Sequence, residues 1–340
     1  MTGDDTPRKI DIHAHIVDRR YVDALIADFA LKTEKTAGGQ TLLRRDGYTF
    51  LWERPDMFDI GGRLARMDSQ GVDMRVLSLS TPNVYEWKGA RQLEMTRYMN
   101  DTTAALVREH PGRFAGIGSL PLDDIKASLA ELDRIRERGL CGVMIGSNVA
   151  GVPVSDARFE PVWARIDALR MPVFEHPMFP ANTGAEEFEM PLRIGFVFDT
   201  TAAAARLIYS GIFERYPNFP YILAHTGGAL LVVLERLDNG YRLFPDCRKH
   251  INRLPSEYAQ HLYYDTCSFF GPALKMAHEL VGADHLLWGS DDPFIGADSS
   301  HVEKLAIAPA DKAKILGGNA ARLLGLDVAR RLDHVQRLEQ

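Results

Sequence analysis

Short apolar runs recur along the chain, each separated from the next by a stretch able to hold a helix. The first, Lys9-Ile10-Asp11-Ile12-His13-Ala14-His15-Ile16-Val17, alternates its side chains; the others occupy residues 72–80, 114–120, 140–146, 171–176, 219–225, 261–267 and 285–291. Between them lie helical patterns with recognisable stops: 62–70 ends at Gly71, 90–110 at Pro111-Gly112, and 125–138 at Gly139. Further helices are expected over 159–169, 200–213, beyond Gly228 and over 272–281. Eight strands alternating with helices favour a (β/α)8 barrel over an open doubly wound sheet. No G-x-G-x-x-G follows the first strand, which weakens the dinucleotide-binding alternative.

Residues 18–60 break this rhythm. They hold a helix-like stretch over 21–30, then Gly38-Gly39, Arg44-Arg45 and the aromatic run Tyr48-Thr49-Phe50-Leu51-Trp52. A connection this long needs structure of its own, so an insertion carrying a short hairpin is expected to cap one end of the barrel. Tail helices over 310–316 and 319–326 would close the outside, making 8–326 a single domain, with 327–340 a peripheral charged tail.

Composition narrows the partners. At 340 residues and 46% hydrophobic the chain can bury a large core, and α/β barrels of this length are commonly one domain. A net charge of −6 offers no basic surface to nucleic acid, which leaves a small molecule as the expected partner. Cys141, Cys247 and Cys267 are odd in number and form no C-x-x-C pair, so neither a disulfide framework nor a thiolate zinc site is indicated, and a reducing cytoplasm fits. The polar, acidic start and the lack of a long apolar run suggest neither export nor a membrane span.

The candidate chemistry begins in the first strand. Alternate residues of a strand point the same way, so His13 and His15 project from one face about 7 Å apart along the backbone, and two imidazoles can reach one ion. An isolated H-x-H is often a packing accident. Its weight here comes from His176, His225, Asp265 and Asp291, which fall at the C-terminal ends of later strands, where barrels of this kind carry their active sites. Each has a plainer reading: His176 precedes a proline, Asp291-Asp292-Pro293 could organise a turn, and His225 could bond to its own loop. Jointly they suit a borderline divalent metal, zinc first and manganese or iron next, with a position open for water or substrate.

These motifs carry a resemblance. The set Asp11-Ile12-His13-Ala14-His15, His176-Pro177, Ala224-His225-Thr226-Gly227-Gly228, Gly289-Ser290-Asp291-Asp292-Pro293-Phe294 and Gly318-Asn319-Ala320-Ala321-Arg322-Leu323-Leu324 resembles the amidohydrolase superfamily. It is most similar to the branch of nonoxidative decarboxylases that contains aminocarboxymuconate-semialdehyde decarboxylase and γ-resorcylate decarboxylase. The resemblance implies His13, His15, His176 and Asp291 as metal ligands and His225 as a neighbouring catalytic histidine. Residues 140–146 contain no lysine to be carbamylated between two metals, so one divalent ion is expected. Arg236 matches an arginine that holds a substrate carboxylate, in some members across a dimer interface, and a homodimer is therefore expected. Arg54 is the nearest candidate for a second carboxylate-binding arginine in the insertion, a few residues out of register. Met178 and Phe179 depart from the aromatic residue that follows the histidine–proline pair in one member.

The expected activity is metal-dependent decarboxylation of an aromatic or muconate-type acid, with His225 or Asp291 handling the proton. The same ligands also serve a hydrolase of esters, lactones or amides, a hydratase, or a ligand-sensing barrel whose metal is structural.

Overall fold

Apolar runs that continue on both faces of a strand must be covered on both, as parallel strands wrapped by helices are. A computed structural model of the chain describes residues 8–45, 48–179 and 187–326. Eight parallel strands form its centre: β1 Ile10–Ile16, β2 Met74–Leu79, β3 Phe114–Gly116, β4 Val143–Gly146, β5 Val173–His176, β6 Tyr221–Leu223, β7 Tyr263–Asp265 and β8 Leu286–Leu287. Every residue of β1, β2 and β5 is buried. Strands β1 to β3 pair in one sheet and β4 to β8 in another. Parallel bridges Gly118–Val143 and Ala14–Asp292 join the two sheets at both seams, so the ladder closes into the expected (β/α)8 barrel.

The strands are shorter than their apolar runs: β4 and β5 begin two or three residues into theirs, whereas in β3, β6, β7 and β8 the last residues of the run leave the ladder as loops at the barrel mouth. Outside lie the helices Ile60–Gln70, Gly89–Glu109, Ile125–Glu137, Glu160–Leu169, Phe196–Tyr209, Leu234–Leu243 and Gly271–Val281. Asp59 caps the first through Gly62 N–H, and Gly71 ends it with φ 63°. The helix expected over 200–213 starts earlier, at Phe196, and ends at Tyr209, because Gly211 turns left-handed (φ 74°) and a short helix, Ile212–Arg215, follows. Gly317 in the tail lies so close to the first strand that a Cβ there would sit 2.0 Å from the Arg8 carbonyl oxygen, so only glycine lets the tail cover this edge. The charged tail expected over 327–340 lies outside the described residues. Among the described residues no helix is long and apolar enough to cross a membrane.

The insertion departs from expectation. A helix, Arg19–Phe29, capped by Asp18, leads into three antiparallel strands, Lys32–Lys35, Thr41–Arg45 and Tyr48–Glu53, rather than a short hairpin. The first of these strands is polar and wholly exposed, so it shows no hydrophobic alternation to read. Phe50 stacks on Phe179 with ring centroids 5.3 Å apart, which lays the sheet over the barrel mouth.

The β8–β1 seam is fastened by more than backbone. Ile12 N–H donates to Trp288 O (3.0 Å), Asp291 N–H to His13 O (2.9 Å) and His15 N–H to Asp292 O (2.6 Å). Beside these bonds lies a buried charge cluster. Arg75 of β2 pairs with Asp11 at 3.2 Å and Asp292 at 2.8 Å, and Arg63 pairs with Asp292 at 3.2 Å while donating to His15 O at 2.8 Å. Removing one partner of a buried ion pair leaves an uncompensated charge, which costs about 3–5 kcal/mol. Arg75→Met is therefore expected to lower the unfolding free energy by about 3–5 kcal/mol, read as a lower urea midpoint at unchanged m value, and a loss below about 1 kcal/mol would show that the seam does not depend on this cation.

Candidate metal centre at the barrel mouth

Both histidines of β1 are fully buried, and each has one ring nitrogen committed. His13 Nδ1 lies 2.6 Å from Asp265 Oδ2, an acceptor only, so Nδ1 carries an N–H and the neutral ring keeps its lone pair on Nε2. His15 Nδ1 lies 3.0 Å from Ser78 Oγ, whose own hydroxyl donates to Ala14 O at 3.3 Å; Ser78 therefore accepts from Nδ1, and again Nε2 is bare. His176, at the end of β5, donates from Nδ1 to Pro177 O at 3.1 Å, which also receives the Thr81 hydroxyl at 2.5 Å. Its Nε2 too is left for something else.

These bare nitrogens converge. His13 Nε2 and His15 Nε2 are 3.0 Å apart, and Asp291 Oδ1 is 3.6 Å from each. Potential ligand atoms of His13, His15 and Asp291 lie within 4.8 Å of one another, as do those of His13, His176 and His225. Lone pairs and a carboxylate facing one another in a dry site repel unless a cation sits between them. Three imidazoles with one carboxylate are the donor set of a divalent metal, so the residues present fit one.

The electrostatics agree. Burial pushes the pKa of His15 down to about 4, that of His176 well below the usual imidazole value, and that of His225 below it as well, which keeps these rings neutral near pH 7. For His13 burial pulls the same way, but the bond to Asp265 and the charges of Asp265 and Asp291 outweigh it and raise the pKa. The same surplus of negative potential favours a cation at Nε2. Burial would raise Asp291, yet His15 and His13 hold it below the ordinary carboxylate value, so it stays ionised.

His225 follows β6 in a left-handed turn, with φ 52° at His225 and 57° at Thr226. Two glycines then let the turn close: a Cβ on Gly228 would lie 2.2 Å from Val197 O. Asp265 Oδ1 holds the turn through Thr226 N–H at 2.9 Å. His225 Nδ1 is buried and has no hydrogen-bond partner among the described residues, so this ring is not spent on structure. Asp291, with φ 54°, is also left-handed; unusual backbone at both positions fits a site whose geometry is imposed by its surroundings.

His176, His225 and Asp291 line a cavity of about 190 Å³, below the roughly 300–1,000 Å³ usual for drug-sized ligands, which sets its occupant at about one ring. Aromatic side chains dominate its wall: Phe50 and Trp52 from the insertion, Phe179, Phe196 and Phe294. The structure thus brings His13, His15, His176, His225 and Asp291 together.

The two arginines sit elsewhere. Arg54 is outside the cavity lining; it donates to Phe294 O at 3.1 Å and lies 3.4 Å from Asp56, so it braces the wall from behind. The insertion turns at Pro55–Met57, just after Arg54, and that turn carries the guanidinium behind Phe294. Arg236 is exposed on the first turn of Leu234–Leu243 and does not line this chain's cavity. Sequence reasoning missed Ser78 and Thr81, the partners that orient His15 and His176; both are small hydroxyls at the end of an apolar run, a recognisable but weak signal. It also missed Arg193, which lines the cavity from the segment before Phe196.

Known proteins share this arrangement of chain. The family model described as Amidohydrolase matches residues 10–326. The 2-amino-3-carboxymuconate-6-semialdehyde decarboxylase of Dictyostelium discoideum is 31% identical over 337 residues, covering 94% of this chain and 92% of that protein. The crystal structure of 5-carboxyvanillate decarboxylase from Sphingomonas paucimobilis superposes with a TM-score of 0.84 at 27% identity, over 94% of this chain and 99% of that one. A dihydroxybenzoic acid decarboxylase from Polaromonas, solved with bound manganese and the inhibitor 2-nitroresorcinol, gives 0.78 at 27% identity over 96% and 99%. With nearly its whole described length matched, the chain belongs to the amidohydrolase family.

Proposed function

We propose that this enzyme is a metal-dependent nonoxidative decarboxylase of an aromatic or muconate-type carboxylic acid. The observation that carries the reading is the convergence of bare imidazole nitrogens and an ionised carboxylate on the floor of a ring-sized, aromatic-walled cavity. The decarboxylase names of its relatives support the same class of reaction.

In this reading His13, His15, His176 and Asp291 hold one divalent ion, which when bound supplies Lewis-acid polarisation and orientation of substrate oxygens. The chain does the rest. Asp265, Ser78 and Pro177 O fix the tautomers that aim the ligands. Phe50, Phe179 and Phe294 flank the substrate plane and exclude water, with Arg54 as a positioning residue behind Phe294. His225, its ring uncommitted and neutral at rest, takes up a proton from the incoming acid or from solvent and delivers it to the carbon bearing the carboxylate. A C–H bond forms there, the carbon–carboxylate bond breaks, its electron pair returns to the ring or diene, and carbon dioxide leaves.

Zinc suits three imidazoles and one carboxylate; manganese is the second reading, favoured by the ion in the Polaromonas structure. A homodimer is part of the proposal, because Arg236 can serve a site only from a second copy and its helix is flanked by exposed Val232, Leu243 and Phe244. Three free thiols, Cys141, Cys247 and Cys267, support a cytoplasmic setting.

Purified protein is expected to contain about one metal per chain and to release carbon dioxide from hydroxybenzoates or muconate semialdehydes, with loss on chelation and recovery on adding zinc or manganese. Bound metal without carbon dioxide from any acid would overturn the decarboxylase reading and direct testing to lactones and esters. His225→Ala, with metal content unchanged, is expected to lower kcat by about 100-fold or more, and retained turnover would remove His225 from the proton transfer. Co-expressed Arg236→Ala and His225→Ala chains should regain activity that neither variant has alone; no recovery would place Arg236 outside the site.

A further inference from the structure

The cavity has a floor rich in metal-ligating groups and a largely apolar wall that carries one cationic side chain. Arg193 is the sole Lys or Arg side chain in the lining among the described residues. It lies in the turn Pro191–Gly195 that leads into helix Phe196–Tyr209, and it is exposed, which puts it at the solvent side of the cavity rather than on the floor. Among the described residues its guanidinium has no hydrogen bond or ion pair, in contrast to Arg44, Arg45 and Arg54 around the same mouth.

The backbone carrying Arg193 is not left to wander. Glu189, four residues earlier, accepts from Thr49 Oγ at 2.8 Å, Thr49 N–H at 3.2 Å and Arg44 at 3.2 Å. This clamp ties the Arg193 segment to the insertion strand that contributes Phe50 and Trp52 to the wall. The two elements that shape the mouth therefore hold a permanently charged fork, unpaired among the described residues, over a largely apolar slot. A guanidinium so placed matches a carboxylate in geometry and charge, which a neutral substituent does not.

The geometry points to Arg193 as a specificity-determining residue that binds a second anionic group, a carboxylate, on the edge of the substrate facing the cavity mouth. The enzyme would accordingly select dicarboxylic acids over acids whose outer edge is neutral. This inference rests on the decarboxylase reading only for which substrate end faces the floor.

Calorimetry on the metal-loaded enzyme tests it, with salicylate bearing a 5-carboxylate compared with its neutral isostere, the 5-carboxamide. Wild type is expected to prefer the dicarboxylate by about tenfold or more, Arg193→Met to erase that ratio, and Arg193→Lys to fall between, since it keeps the charge and loses the fork. A preference that survives Arg193→Met, or a wild type that binds both acids equally or neither, overturns the assignment. Carbon dioxide release from the same acids is scored separately. A preference lost in Arg193→Met without any carbon dioxide would uphold Arg193 and overturn the decarboxylase reading; carbon dioxide release without a preference would do the reverse.

Discussion

Arg75 is the one charged residue of its strand, has its side chain fully removed from water, and reaches one carboxylate on each side of the barrel's last seam. Taking such charges out of water costs several kcal/mol per ion, and the mutual attraction offsets this only while the geometry holds. A one-residue slip of β1 against its neighbour would turn Asp11 outward and strand the arginine. It would displace His13 and His15 as well, which follow Asp11 in the same strand. On the opposite side of the seam Asp292 is held by the same cation, and Asp291 precedes it in the chain. The cluster that closes the barrel therefore also sets the relative height of the two strands that supply most of the proposed ligands.

Above that seam the molecule separates into a floor and a wall built by different means. The floor comes from strand ends, whose positions are shared by every residue of the ladder. The wall comes from the insertion sheet and the segment around Glu189, joined by a few side-chain bonds at the mouth. The relatives are named for different acids, a carboxymuconate semialdehyde, a carboxyvanillate and a dihydroxybenzoic acid. A common floor under a separately built wall is an arrangement that permits such variety, since wall residues can change without disturbing the ladder beneath.

The alternation of β1 and the apolar runs made most of this barrel legible in the sequence, and the floor with it, because strand ends converge by topology alone. His176 and Asp291 needed no contact information to be placed beside His13 and His15. Lys32–Lys35 escaped notice because a strand with both faces in water carries no hydrophobic period. The start of helix Phe196–Tyr209 was misjudged because it grows from a preceding turn without a capping side chain, so no residue marks the boundary. Arg75 was the overlooked cue: a charge within an apolar run demands a buried partner. Arg193 could not have been found at all, for an arginine in a loop looks the same whether it faces bulk water or a cavity.

Asp265 is the acceptor that His13 and the His225 turn have in common, one oxygen taking the imidazole and the other the Thr226 and Cys267 amides. A carboxylate is rigid, so the proposed ligand and the proposed proton carrier are surveyed from a single fixed point. If thermal motion shifts β7 relative to the rest of the barrel, both imidazoles travel with it and their separation is preserved. Breathing of the barrel then becomes a common-mode displacement, to which a reaction depending on the distance between those two rings is largely insensitive.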